Sequence, residues 1–289
     1  MQIIFSRKGF DSQYGGVASP IFPDGTMYSL PIPVARDPHH LGELRPGGRD
    51  LTSIVADLTR GRVVAATPVH LDPDLDASAV ARPQGWRPAF GQTDAAQAHL
   101  KNQGVGPGDL FLFFGWFRDV ESVAGVWRYK RGAPDIHALF GWLQVDECVA
   151  VGQNARPTLQ RYPWLAGHPH TVGAASYSSS NNSIYIGRES LHLAGTPIEL
   201  PGAGVLTRFR RELRLTAHGR TRSWWHLPRW FHPHAGCAPL SYHADPKRWS
   251  LEADATILRI VDKGQEFVLD TKHYPDAAAW VAKLLGGQT

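Results

Sequence analysis

Only two cysteines, Cys148 and Cys237, occur in 289 residues. That excludes a disulfide framework and a cysteine-rich zinc site, and it suits a reducing cytoplasm. Long apolar runs are missing too: nothing approaches a membrane-spanning length, so no membrane segment is expected. The N-terminal MQIIFSRKGF turns to charge after one short apolar run and has no signal-peptide core, so a cytoplasmic protein is expected. Internal repeats are absent. So are the GxxxxGK[ST] loop and the dinucleotide glycine fingerprint, which removes the commonest nucleotide-binding motifs. No motif nominates a cofactor, and nothing nominates a protein partner.

What is present is unusual in kind. Ten Trp, 22 Pro and 29 Gly point to many turns and short elements rather than long helices. The pI near 9.1 at a formal charge of +4 is a mild basic bias that favours anionic partners. The chain reads as core most plainly at GPGDLFLFFGWFRD, where residues 110–117 form an uncharged aromatic run between turn signals. Such a run fits a strand buried on both faces. Residues 136–145 repeat the pattern, so the two are expected to be neighbouring strands, with Phe111, Phe113, Trp142 and Val145 buried.

Around this pair, residues 2–5 read as a first strand, and 21–33 as a hairpin turning at Pro23-Asp24-Gly25. Residues 50–58 form a helix capped by Asp50, with Leu51, Ile54, Val55 and Leu58 on one face. A second helix spans 93–103 and a third spans 276–285. Residues 154–182, rich in Pro, Gly, Ser and His, read as loop. Residues 257–261 and 266–270 read as a late hairpin around Lys263-Gly264. The sum is a single elaborated α+β domain: a strand-rich mixed or antiparallel central sheet with short flanking helices. Residues 154–182 are the one soft boundary.

Three constellations carry chemistry. The first follows the N-terminal strand: Ser6, Arg7, Lys8, Gly9, Asp11 and Ser12, with Asp24 nearby. Glycines let backbone N–H groups approach an anion, and an adjacent Arg and Lys add charge and a bidentate fork. A phosphate or nucleotide is expected on Ser6, Arg7, Lys8, Ser12 and Asp24; the plainer reading is a solvated glycine-rich loop. The second is histidine beside carboxylate. His70 and Asp72, with Asp11, are the candidate acid–base groups, because a carboxylate can hold an imidazole's tautomer. The competing reading is a turn-capping Asp beside a hydrogen-bonded His. The pairs His168/His170 and His232/His234 could share a metal, but spacing nominates no third ligand, so no metal, and no structural zinc, is expected. The third is RFRRELRLTAHGRTRSWWHLPRW, with seven arginines against Glu212 alone. Arg220, Arg222, Trp224, Trp225, His226, Arg229 and Trp230 are expected to contact nucleic acid, since arginines neutralise phosphates and indoles stack on bases. Against this stands a basic strand with a Trp-rich loop packed on the core.

The segments SRKGFDSQYGGVASPIFPDGTMYSLPIP, HLDPDL, GDLFLFFGWFR, IHALFGWLQV and SIYIGRESL together resemble the third nucleotide-modification-associated domain family. The resemblance runs over essentially the whole chain. It implies a nucleotide or nucleic-acid partner, DNA favoured over RNA, in base modification or recognition, without assigning a catalytic residue. PGDLFLFFGWFR followed by IHALFGWLQV is also loosely similar to PUA-like base-reading barrels. Three functions therefore compete: an enzyme acting on a nucleotide or base, a non-catalytic reader of modified bases, and a metal-dependent hydrolase. Convergence of Arg7, Asp11, Asp24, His70 and Asp72 in one polar cleft would favour the enzyme; an aromatic cage would favour the reader.

Overall fold

The two apolar runs pair as antiparallel strands, Leu110–Val123 and Ile136–Ala150, in register from Leu110 opposite Gln144 to Phe117 opposite Ile136. The structure is a computed structural model that describes residues 1–286 apart from 178–179, 235–236 and 263. Phe111, Phe113, Trp142 and Val145 are all buried. Strand alternation puts Phe111 and Phe113 on one face and Phe114 on the other, and a register shift between Phe113 and Phe114 leaves Phe140 unpaired on the partner strand, as a bulge does. Phe111 and Phe113 stack on each other and meet Phe90 and Tyr185 on one face. Phe114 meets Trp225 and Phe267 on the other. With aromatics on both faces, the run has no solvent side, which is why it carries no alternation.

The N-terminal strand Gln2–Arg7 lies parallel to Leu110–Val123 and antiparallel to Glu266–Asp270. Asn182–Gly187 and then Ala89–Thr93 extend the sheet on the other side. The result is a mixed sheet of nine strands with few short helices, an α+β architecture. It does not close into a barrel. Its two edge strands nevertheless face one another, because the Gln92 amide donates to Glu266 Oε1 at 2.5 Å across the open seam. A three-stranded sheet, Trp224–Pro228, Ala255–Arg259 and Trp249–Leu251, joins the aromatic layer outside through Trp225, which packs on Phe5, Phe114 and Phe267. The helix Ala277–Gly286 adds Trp280 against Phe5 and Phe231.

The helix Thr52–Thr59 forms with the Asp50 carboxylate accepting from the Thr52 N–H at 2.8 Å. The helix Asp94–Asn102 follows directly on the strand Ala89–Thr93. Three local readings differ from what is observed. Residues 21–33 make a tight turn with one isolated bridge, Ile21 to Met27, rather than a hairpin; Pro23, Pro31 and Pro33 lack the donors a ladder needs. Residues 154–182 contain short helices, among them Arg156–Arg161 and Pro169–Val172. Ala255–Arg259 and Glu266–Asp270 do not pair with each other: the first joins the small sheet and the second the main one. Of the turn expected between them, Lys263 lies outside the described residues. No helix among the described residues is long and apolar enough to cross a membrane.

Candidate functional site

The end of the first strand delivers Arg7 and Lys8 to a cleft of about 600 Å³, lined also by Asp11, Ser12, Trp116, His137, Arg222 and Asp262. Lys8 passes close to the main sheet, donating its N–H to the Phe114 carbonyl at 2.9 Å. Its own carbonyl would lie 2.9 Å from a Cβ at position 115, so only glycine fits there. Arg7 is largely buried; among the described residues its Nε has no hydrogen-bond partner and its Nη1 makes only a long contact, 3.4 Å, to the Asp262 carbonyl. Arg222 comes from the opposite wall, its guanidinium 4.0 Å from the Trp116 ring centroid. Neither arginine forms a salt bridge among the described residues. Burial lowers the pKa of both; Asp11 raises Arg7 and Arg222 lowers it further, while Asp135 and then Asp11 raise Arg222. Burial and the same two arginines hold the buried His137 well below the usual imidazole range, so it is neutral. Its Nδ1 accepts from the Trp225 indole at 3.1 Å.

Several backbone donors of the glycine loop are already taken. Asp11 Oδ1 accepts from the N–H groups of Gln13 and Tyr14 at 2.7 and 2.6 Å, and the Asp11 carbonyl accepts from Gly16. Asp11 is therefore placed as the clasp of the loop, at the cleft wall. Ser6 is fully buried, donating to Glu266 Oε1 at 3.1 Å. Asp24 lies outside the cleft: its carboxylate accepts from Thr26 and pairs with Arg49 at 2.9 Å.

Alongside the cleft, and sharing Val261, Gly264 and Gln265 with it, is a recess of about 770 Å³. Tyr14 and Tyr242, each about half exposed, flank it, with His99 packed against Tyr242 at 4.3 Å between centroids. Gln92 and Glu266 lie at its inner end. Lys8, Ser6 and Gln92 all donate to Glu266 Oε1, leaving the buried Oε2 without a partner among the described residues. Lys8 Nζ, 2.8 Å from that carboxylate, also sits 4.6 Å from the Phe90 ring centroid.

His70 and Asp72 do not line this cleft. They lie at the free edge of the strand Ala89–Thr93, where the Gly91 N–H donates to Asp72 Oδ1 at 2.8 Å. The pair His168/His170 reaches the same point from the helix Pro169–Val172 and its N-cap. His70 Nε2 and His170 Nε2 stand 3.8 and 3.7 Å from Asp72 Oδ2, and His168 Nε2 stands 3.6 Å from Oδ1. A Cβ on Gly91 would lie 2.1 Å from the His170 ring, so glycine here is a condition of the cluster. Burial raises the Asp72 carboxyl to about 7, against the opposing pull of His70, the Gly91 N–H and Lys8. Burial lowers His170 to about 3 and His168 well below the ordinary value. Lys8 is the physical link between the regions: it lines the cleft, and its charge acts on both Asp72 and His170.

The arginine–tryptophan stretch is divided by strand alternation. Trp225 is fully buried, whereas Trp224 is half-buried, with Arg220 and Arg259 over its ring, and His226 faces solvent. Arg229 contacts the carbonyls of Glu252 and Ala253. Trp230 stacks on Phe231 at 4.0 Å. Arg229 and Trp230 line a separate depression with His232, His234 and Tyr274. Of the arginines and tryptophans of this stretch, Arg222 alone lines the cleft of Arg7, between Thr221 and Ser223.

The family described as nucleotide modification associated domain 3 matches residues 2–270. The chain belongs to that family. Its match runs from the first strand, which carries Arg7 and Lys8, to Asp270 at the end of the strand that carries Glu266, so the cleft, the recess and the histidine cluster all fall inside it. No curated protein and no solved structure matches the chain. Membership ties the chain to nucleotide modification; the residues that sequence reasoning passed over are Gln92, Glu266, Tyr242, Asp37 and Asn182. Only Glu266 carried a local sign, a lone acid opening the apolar strand EFVLD.

Proposed function

We propose that this chain binds a nucleotide, free or within a single strand, as the substrate of a base-modifying enzyme. The phosphate lies between Arg7 and Arg222, and the base enters the recess between Tyr14 and Tyr242. The observation that carries this reading is that two guanidiniums from distant parts of the chain line one cleft, neither in a salt bridge among the described residues. Guanidinium forks suit phosphate oxygens bidentately, and partial burial strengthens such contacts. The adjoining recess supplies what a base needs: aromatic faces for stacking and, in Glu266 Oε2, an acceptor for an exocyclic amine or ring N–H. Of the five groups whose convergence would favour an enzyme, Arg7 and Asp11 meet in the cleft, while Asp24, His70 and Asp72 lie outside it; what supports an enzyme over a reader is the titratable lining, Lys8 in the cleft and Glu266 in the recess.

The test is equilibrium binding of 5′-mononucleotides, the matching nucleosides and a short single-stranded oligonucleotide. Arg7→Gln and Arg222→Gln should each weaken nucleotide binding about 10–100-fold, the loss of a charge-assisted hydrogen bond. They should leave the weaker nucleoside binding unchanged. Glu266→Gln should alter the preference among bases while keeping the preference for nucleotide over nucleoside. Equal affinity of nucleotide and nucleoside in the wild type sinks the proposal.

A further inference from the structure

His70, Asp72 and His170 come from separate parts of the chain, yet their ligand atoms all lie within 4.8 Å of one another. We propose that these three residues bind one divalent first-row transition ion, of the zinc or iron(II) class, through His70 Nε2, His170 Nε2 and Asp72 Oδ2. This departs from the expectation of no metal, which rested on spacing alone; here the fold supplies the third ligand that no pair of histidines could nominate.

The hydrogen bonds around the triad fix the chemistry of each donor atom. His70 Nδ1 lies 2.6 Å from Asp37 Oδ2, so it carries the proton and leaves Nε2 with its lone pair. His170 Nδ1 lies 2.7 Å from Asn182 Oδ1. The Asn182 amide cannot turn round, because its Nδ2 donates to the carbonyls of Gly152 and His170 at 2.9 and 3.0 Å. His170 Nε2 is therefore also a lone pair. The carboxylate is anchored by Oδ1, which takes the Gly91 N–H at 2.8 Å, leaving Oδ2 as the atom turned to both imidazoles. His168 completes the surroundings. Its Nδ1 accepts from the His170 N–H at 3.2 Å, so its Nε2 carries a proton, aimed at Oδ1 from 3.6 Å and otherwise unpartnered in a buried setting.

Two lone pairs and a carboxylate oxygen thus face one point, with no donor among the described residues between them. Among the described residues neither Nε2 makes a hydrogen bond. Imidazoles held by a carboxylate or an amide through the far nitrogen are the usual support of a metal ligand. Ligands 2.0–2.1 Å from a tetrahedral ion stand roughly 3.3 Å apart. The two His–Asp separations, 3.8 and 3.7 Å, need to close by only a few tenths of an ångström, and the two imidazole nitrogens, within 4.8 Å of each other, by up to about 1.5 Å shared between two side chains. Two nitrogens and one oxygen select a transition ion over calcium or magnesium, and three protein ligands leave positions open for water or substrate. His70, whose side chain is 16% exposed against 3–4% for the other two ligands, gives the ion its path. None of the three ligands lines the cleft or recess, so the site stands or falls separately from the nucleotide reading.

The experiment strips the full chain with EDTA and titrates it with cobalt(II), followed by visible absorption and elemental analysis. The wild type should bind one cobalt per chain, with d–d bands, and gain thermal stability from it. His70→Gln, Asp72→Asn and His170→Gln should each lose at least 100-fold in cobalt affinity, while His232→Gln/His234→Gln should bind like the wild type. His70→Gln also removes the 2.6 Å partner of the buried Asp37, so its melting temperature in EDTA should fall; retention of fold is checked by near-ultraviolet circular dichroism matching the stripped wild type below that temperature. The proposal is overturned if the wild type binds no more cobalt than His70→Gln/His170→Gln. It is equally overturned if changing His232 and His234 is what removes the ion.

Discussion

Trp225 offers a sharp test, because its sequence neighbours suggest a base-stacking indole and its surroundings make it core. The ring is fully buried, 4.9 Å from Phe114 and 5.5 Å from Phe5 between centroids, and its N–H donates to His137 Nδ1 at 3.1 Å. Trp225→Ala removes a buried aromatic, which costs about 3–5 kcal/mol. It also strands the His137 nitrogen, at about 1–3 kcal/mol more. Because the two losses share one cavity, the total should fall at about 4–6 kcal/mol rather than at their full sum. Trp225→Phe keeps most of the packing and should lose about 1–3 kcal/mol, chiefly the hydrogen bond. Urea denaturation measures both. Nucleotide affinity per folded molecule of the phenylalanine variant should stay within about twofold of the wild type, well under 1 kcal/mol. A loss of affinity with stability unchanged would refute the assignment of Trp225 to the core.

Phe113→Ala should destabilise by about 3–5 kcal/mol, since the ring packs on Phe90, Phe111 and Phe140 without solvent contact; calorimetry checks this. His137 gives a pH dependence: burial, Arg7 and Arg222 keep it neutral in the fold, while the unfolded chain takes up its proton below about pH 6.5. The unfolded state then binds more protons, so stability falls as pH drops, by up to about 1.4 kcal/mol per pH unit from this residue. In His137→Gln the slope of stability between pH 6.5 and 5 should be shallower by about that amount; an unchanged slope would mean the imidazole is not held neutral.

Much of the fold is legible because it is local. The runs at 110–117 and 136–145 announce buried strands by composition, and the helix Thr52–Thr59 by its period and by Asp50. Pairing is not local. Nothing near residue 257 says that its strand prefers residues 224–228 over the adjacent Glu266–Asp270, because that choice is made by the aromatic layer around Trp225. The candidate site divides the same way. Arg7 and Lys8 stand out as cations after a strand, but Glu266 becomes a partner of Gln92 only when the sheet curls. His70 meets His170 only because Gly91 leaves room for the ring. Arg222 was visible as one arginine among seven, and only the fold separates it from Arg229.

The most direct test of the nucleotide reading is a crystal structure of the chain with a bound 5′-mononucleotide. The account predicts the phosphate between the guanidiniums of Arg7 and Arg222, with the base beside Tyr242 and facing Glu266. A nucleotide seated instead in the depression of Arg229 and Trp230, with the Arg7 cleft empty, would contradict it.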